Sequence, residues 1–311
     1  VTGSDAPLIE VTDLVKHFGD RGFGRRRDQL VRAVDGVSLT VADGELVGLV
    51  GESGSGKTTL GQTVLRMHEP TSGAVRFRGT DLSGLSRREL TRLRPRMQYI
   101  FQDPFSALNP RLQIADAIGE PLLRHGRATR DDVRDRVREV LALCEMGPDS
   151  LDRFPHEFSG GQRQRIVIAR AMALEPEFVV ADEPVSALDV SIQAQIINLF
   201  SDLREQRGTA FLFISHDLGV VDHLCTRVAI MYRGVIVESG TRDQLFDDPA
   251  HPYTRELLAA VPTPDPRRRR RGERRPRREW DLPAAPGAPT WRDVPLTDLG
   301  DGHLVALPEL S

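Results

Sequence analysis

A chain of 311 residues with 39% hydrophobic and 28% charged residues carries enough apolar matter for a real core, which excludes a disordered chain and a minimal scaffold. No window approaches eighteen consecutive apolar residues, and Val1 to Asp5 show no basic-then-apolar leader, so neither a membrane span nor a secretion signal is expected. The net charge of −3 joins two unlike parts, because residues 267–279 hold nine arginines against Glu273 and Glu279, a local +7 that leaves −10 elsewhere. A chain so acidic outside one short run argues against a duplex-wrapping binder, and no nucleic acid is expected among its partners. Only Lys16 and Lys57 are lysines, and Cys144 and Cys225 sit in apolar-periodic stretches as buried, reduced thiols of a cytosolic protein.

In chain order, residues 8–15 alternate as a strand, and Val37–Val41 read as another before the Ala42-Asp43-Gly44 turn. Gly19–Gln29, rich in glycine and arginine without periodicity, reads as an exposed loop. Glu45–Val50 is a short apolar run of the kind buried on both faces of a sheet, and a helix from Lys57 to about Arg66 follows a glycine-rich turn. Ile114–Leu123 and Asp131–Cys144 have helical spacing, which predicts a helical insert. Phe178–Ala181, Ala210–Ile214 and Arg227–Tyr232 read as strands, with a helix over Ile192–Gln206, and this alternation predicts a largely parallel sheet covered on both faces. From Val261 onward, proline, the arginine run and Pro283–Pro289 predict an irregular extension with no helix or central strand, in which the arginines read as a solvated linker, with contact to an acidic partner or an anionic lipid surface as the alternative.

Gly51-Glu52-Ser53-Gly54-Ser55-Gly56-Lys57-Thr58 matches G-x-x-x-x-G-K-S/T between a buried strand and a helix, the context that this phosphate loop requires. Glycines let successive N–H groups turn toward phosphate oxygens, and the helix that opens here adds the positive end of its dipole. Lys57 supplies a point charge for the β- and γ-phosphates, Thr58 offers a hydroxyl to Mg²⁺, and Thr59 continues the site. Phe178 to Glu183 form the second half, an apolar strand ending in two carboxylates. Asp182 at the tip is placed to hold Mg²⁺, and Glu183 to meet the water that attacks the γ-phosphate.

Phe158-Ser159-Gly160-Gly161-Gln162, some twenty residues before that strand, resembles the signature motif of ATP-binding cassette (ABC) ATPases. Gln102, Ser186-Ala187-Leu188-Asp189 and His216 occupy the places where that family has a glutamine, a D-loop and a histidine. The resemblance implies an α/β P-loop NTPase fold, an ABC-type nucleotide-binding domain with an antiparallel β subdomain and a helical subdomain. It places that domain at 8–260 with the helices at about 103–170, and assigns 261–311 to a Pro/Arg-rich C-terminal extension. Asp103 to Arg111, Pro184 to Ser191 and His251-Pro252-Tyr253-Thr254 look like the ATPase subunits of bacterial oligopeptide and dipeptide importers, and Asn109-Pro110-Arg111 looks like the second ATPase of such pairs.

What the resemblance implies is a catalytic Glu183, with His216 as a γ-phosphate contact and Gln102 as a sensor of Mg²⁺ and water. ATP is then sandwiched between the phosphate loop of one subunit and Ser159, Gly160, Gly161 and Gln162 of another, with Asp189 coupling the two and Phe18 stacking on adenine. The implied partners are a second ABC ATPase subunit in a head-to-tail dimer, two transmembrane permease subunits and, indirectly, an extracytoplasmic substrate-binding protein. The implied location is the cytoplasmic face of the membrane, with ATP and Mg²⁺ as ligands. Many relatives have a cysteine cluster in the tail that is sometimes read as an iron–sulfur site, and residues 226–311 have no cysteine to ligate one. A repair or translation ATPase and an exporter are the competing readings. The first lacks its long coiled coil or second cassette here, and the importer phrases argue against the second.

Overall fold

The computed structural model describes residues 6–19, 30–260, 281–282 and 290–308. The first part contains β1 (Ile9–Phe18), β2 (Val31–Val41), β3 (Leu46–Val50), α1 (Lys57–Val64), β4 (Ser72–Phe77), β5 (Thr80–Asp81), α2 (Arg87–Leu93) and β6 (Met97–Ile100). Helices α3 (Pro104–Ala107), α4 (Ile114–Arg124), α5 (Val133–Leu143) and α6 (Gly160–Met172) follow without an intervening strand. The chain then forms β7 (Phe178–Asp182), α7 (Val190–Arg207), β8 (Ala210–Ser215), α8 (Leu218–Leu224), β9 (Arg227–Tyr232) and β10 (Val235–Thr241). It closes with α9 (Arg242–Asp247), α10 (Pro252–Ala259), β11 (Leu296–Asp298) and β12 (Leu304–Ala306).

Eight strands form one sheet in the order β11-β12-β10-β9-β3-β8-β7-β6, and the five from β9 to β6 are parallel. A separate antiparallel sheet runs β2-β1-β4-β5. Strand β8 shows how sequence drives the layering, because all six of its residues are buried and alternate residues enter opposite cores. Phe211 and Phe213 meet Phe200 of α7 edge-on at 5.4 and 5.3 Å, while Leu212 and Ile214 pack with α1 and the antiparallel sheet. Parallel pairing brings the carboxyl ends of β3, β7 and β8 side by side, and ligand-binding loops emerge at that edge of such sheets.

The thiols of Cys144 and Cys225 are buried, and burial pushes that of Cys144 up to about 12. Asp20–Gln29 of the glycine- and arginine-rich loop, the arginine run and Pro283–Pro289 lie outside the described residues.

The irregular extension expected after Val261 needs correction at 290–308. There β12 pairs antiparallel with β10, β11 pairs with β12, and Trp291 is buried. The reason is tertiary: Trp291 Nε1 donates to Asp281 at 3.0 Å, and His303 Nε2 lies 2.8 Å from Glu238, whose side chain is fully buried on β10. No local proline or periodicity signal announces strands of three residues that form only against an existing edge.

Candidate nucleotide site

Gly51 leaves β3 so close to β9 that a Cβ there would lie 2.2 Å from the Met231 carbonyl oxygen. Gly56 has φ +107°, and its Cβ would lie 1.9 Å from the Ala33 oxygen, so only glycine fits either position. Gly56 is also the N-cap of α1 and supplies no side-chain cap, and no acidic residue stands in the first turn. The first N–H groups of the helix thus keep their dipole for an anion. Lys57 is buried, and its Nζ donates to the carbonyls of Gly51 at 2.7 Å and Glu52 at 2.9 Å. Burial lowers its pKa, opposed by the negative charges of Glu183, Asp182 and Glu52. Ser55 Oγ is buried without a hydrogen-bond partner among the described residues.

Strand β7 delivers the carboxylates. Asp182 Oδ1 accepts from Thr58 Oγ1 at 3.1 Å, and Oδ2 accepts from Tyr99 Oη at 2.7 Å. Burial raises the Asp182 pKa, against the two hydroxyl donors and Lys57. Glu183 has φ +45°, a left-handed conformation that costs a non-glycine residue energy. Its N–H donates to Ile214 O at 2.9 Å, and its carbonyl accepts from Ser186 Oγ at 3.0 Å, so the strained backbone is held from both sides. Its Oε2 accepts from Gln102 Nε2 at 2.9 Å and lies 3.1 Å from His216 Nδ1.

The phosphate loop, Lys57, Thr58, Thr59, Gln102, Glu183 and His216 line a cleft of about 820 Å³ together with Phe18, Val31, Arg32 and Ala33. Phe18 is 37% exposed, stands edge-on to His68 at 5.3 Å between ring centroids, and has Lys16 Nζ 4.9 Å from its ring centre. The lining joins an aromatic ring to the phosphate loop and polar side chains, which fits a nucleotide.

Ser159, Gly160, Gly161, Gln162 and Asp189 do not line this cleft. Ser159 caps α6 through a reciprocal pair, its N–H donating to Gln162 Oε1 at 3.0 Å and its Oγ accepting from Gln162 N at 3.3 Å. Ser159, Gly160, Gln162 and Asp189 are exposed, while Gly161 is buried against Ile192 of α7. One chain therefore brings together the phosphate loop, both carboxylates, Gln102 and His216, and leaves the signature facing outward.

Sequence reasoning missed three contributors. Tyr99 holds Asp182, Tyr253 Oη accepts the Glu52 N–H at 2.9 Å, and Leu257 of α10 lines the cleft. The His251-Pro252-Tyr253-Thr254 segment was legible as a motif, but its target lies 201 residues earlier in the chain.

Residues 34–186 match the protein family described as ABC transporter, and residues 237–287 match the oligopeptide/dipeptide transporter C-terminal region. A Brucella ovis ATP-binding protein, named for peptide import, is 52% identical over 263 residues, covering 85% of this chain and 81% of its own. The oligopeptide transport ATP-binding protein AppF of Bacillus subtilis is 49% identical over 257 residues, covering 82% of this chain and 78% of its own. Among solved structures, the dimeric ABC transporter cassette MJ0796 superposes with a TM-score of 0.67 at 28% identity, covering 75% of this chain and 98% of that one. The same cassette, as a dimer in a post-hydrolysis state bound to ADP and Pi, gives 0.67 at 27% identity with the same coverage. With about half of the aligned residues identical to these relatives and the fold of these cassettes, the chain belongs to the ABC transporter ATP-binding proteins of the oligopeptide/dipeptide type.

Proposed function

We propose that the chain is the ATP-hydrolysing motor of a membrane importer for oligopeptides or dipeptides, acting at the cytoplasmic face as one half of an ATPase dimer. The observation that carries this reading is Glu183 Oε2, shared by Gln102 and His216 at the rim of the cleft that holds Lys57. ATP fits the glycine cradle, the open α1 N-terminus and the buried ammonium. Mg²⁺ fits an oxygen donor set of Thr58, Asp182 and Gln102, and when bound it neutralises charge developing between the β- and γ-phosphates. Among the described residues no group of three or more His, Cys, Asp or Glu is placed to hold a metal ion.

The protein's own residues then have separable tasks. Lys57, held near the loop by two carbonyls, has an ammonium free to turn to phosphate oxygens. Glu183 orients a water and takes its proton, and Gln102 and His216 fix the rotamer from which it does so. Phe18 offers its exposed face to the base. The outward Ser159, Gly160 and Gln162, with Gly161 packed beneath them, supply a second anion site that needs a second subunit's nucleotide, with Asp189 beside it at the start of α7. ABC ATPase cassettes work as dimers with transmembrane permease partners. For this chain we take the partner to be a related ATPase, with two permease subunits and a substrate-binding protein that delivers peptide from outside. No helix among the described residues is long and apolar enough to cross a membrane.

Affinity purification of the tagged chain from bacterial membranes tests this reading. Two permease subunits and a second ATPase are expected to copurify, and ATP hydrolysis by the complex is expected to rise with peptide-loaded binding protein. Partners with no permease among them, or a complex indifferent to peptide, would count against it.

A further inference from the structure

The peptide group between Gly51 and Glu52 is gripped at both ends. Its carbonyl, on Gly51, accepts from Lys57 Nζ at 2.7 Å, and its N–H, on Glu52, donates to Tyr253 Oη at 2.9 Å. In a trans peptide these two groups point in opposite directions, so the two side chains fix the plane of the group between them. The Tyr253 ring is fully buried and cannot swing away.

The local sequence explains why this hydroxyl arrives where it does. His251 caps α10, its Nδ1 accepting the Tyr253 N–H at 3.0 Å, and Pro252 opens the helix with its φ preset. Tyr253 then packs at 4.5 Å, tilted by 47°, on Tyr232 of β9, the strand whose Met231 carbonyl closes on Gly51. Behind it, Trp291 meets the His251 ring at 5.0 Å, while Tyr232 Oη and Trp291 Nε1 both donate to Asp281. One wall of hydrogen-bonded aromatic rings thus backs the phosphate loop.

We propose that Tyr253 is a positioning residue for nucleotide binding, which holds the Gly51–Glu52 peptide in the orientation that keeps Lys57 inside the loop. The proposal rests on the phosphate-site reading above. Without the hydroxyl, the Glu52 N–H loses its acceptor and the loop gains alternative orientations, which nucleotide binding must then remove. The histidine, proline and tyrosine of that segment thereby act as one device for aiming a single hydroxyl.

The test compares full-length wild type, Tyr253→Phe and Lys57→Ala by direct ATP and ADP binding, with kcat and KM measured in the assembled transporter. Tyr253→Phe, which keeps the ring, is expected to weaken Kd for both nucleotides about three- to tenfold and to raise KM similarly, with kcat at saturation within about twofold. Unchanged Kd, or a lower kcat at unchanged Kd and KM, overturns the proposal, since lost packing alone removes active protein without moving affinity. Amide exchange on the wild-type chain gives a reading that needs no variant: the Glu52 N–H is expected to exchange more slowly than those of the exposed Ser53 and Gly54, and equal rates overturn the proposal. Wild-type affinity in Lys57→Ala would instead remove the phosphate-site reading on which it stands.

Discussion

The side-chain amide of Gln102 donates to Glu183 Oε2 at 2.9 Å, tying the chain just past β6 to the residue just past β7. Gln102 stands two residues before α3, so a displacement of the helices between β6 and β7 can reach the carboxylate through this contact. Glu183→Gln is expected to keep ATP bound while turnover falls by about a hundredfold or more, because an amide preserves shape and cannot accept the proton. Phosphate release and nucleotide retention in the assembled complex check this, and turnover within tenfold of wild type would rule Glu183 out as the base.

Asp182 sets function against stability. Burial raises its pKa, so between its unfolded and folded values the native state binds the extra proton, and at neutral pH the buried carboxylate destabilises the fold. That penalty is absent below the unfolded value and grows as pH rises through the folded one. Asp182→Asn is therefore expected to raise Tm at pH 7 and to lose Mg²⁺-dependent hydrolysis. Its advantage in Tm should shrink as the solution is acidified. A lower Tm at pH 7 would contradict the burial argument.

Gly161 tests the packing beneath the signature. An added Cβ would lie 2.4 Å from Ile192 Cγ2, whereas one at Gly160 would meet only Leu188 Cδ2 at 3.7 Å, an ordinary contact. Gly161→Ala is expected to cost about 1–3 kcal/mol and Gly160→Ala far less. Paired thermal or denaturant melts measure the difference, and equal melts would refute it.

His251 makes the fold sensitive to acid. Burial, aided by the charge of Arg255, lowers its pKa to about 4 from an ordinary 6.5, and its Nδ1 accepts the Tyr253 N–H. The unfolded chain therefore binds a proton that the native state refuses. The stability is fully present above pH 6.5 and is lost as pH falls toward 4, by at most about 3 kcal/mol. Glu238, which accepts the His251 N–H, and His303 stand in the same cluster, with Arg255, Tyr253, Tyr232 and Asp281 around it. His251→Asn retains a capping acceptor without the titration, and its denaturant midpoint is expected to vary less between pH 6.5 and 4. A profile parallel to wild type would place the acid sensitivity elsewhere.

Much of the nucleotide site is written locally. Strands β7 and β8 are continuous apolar runs because both faces are covered, and the phosphate loop needs its glycines and lysine within eight residues. Contacts made across the fold are less legible. Tyr99 reaches Asp182 over 83 positions, and no local pattern marks a tyrosine on β6 as a partner of that aspartate. Strand β12 consists of three residues, Leu304 to Ala306, and exists only because β10 offers an unpaired edge. Phe18 falls between these cases: its residue type was readable, but its exposed position at the end of β1 depends on irregular pairing of that strand with β2.

The return of the chain to β10 decides how the arginine run has to be removed in any experiment on it. A stop codon before Arg267 would also discard Trp291 and β12, and would strip the buried Glu238 carboxylate of His303, its partner among the described residues alongside the N–H groups of Ala250 and His251. Leaving a buried carboxylate short of a donor is destabilising in itself. Loss of transport by such a truncation would report a damaged sheet edge behind the nucleotide cleft. Excision of residues 267–279 alone, or their replacement by serine and glycine, spares that edge and isolates the arginines.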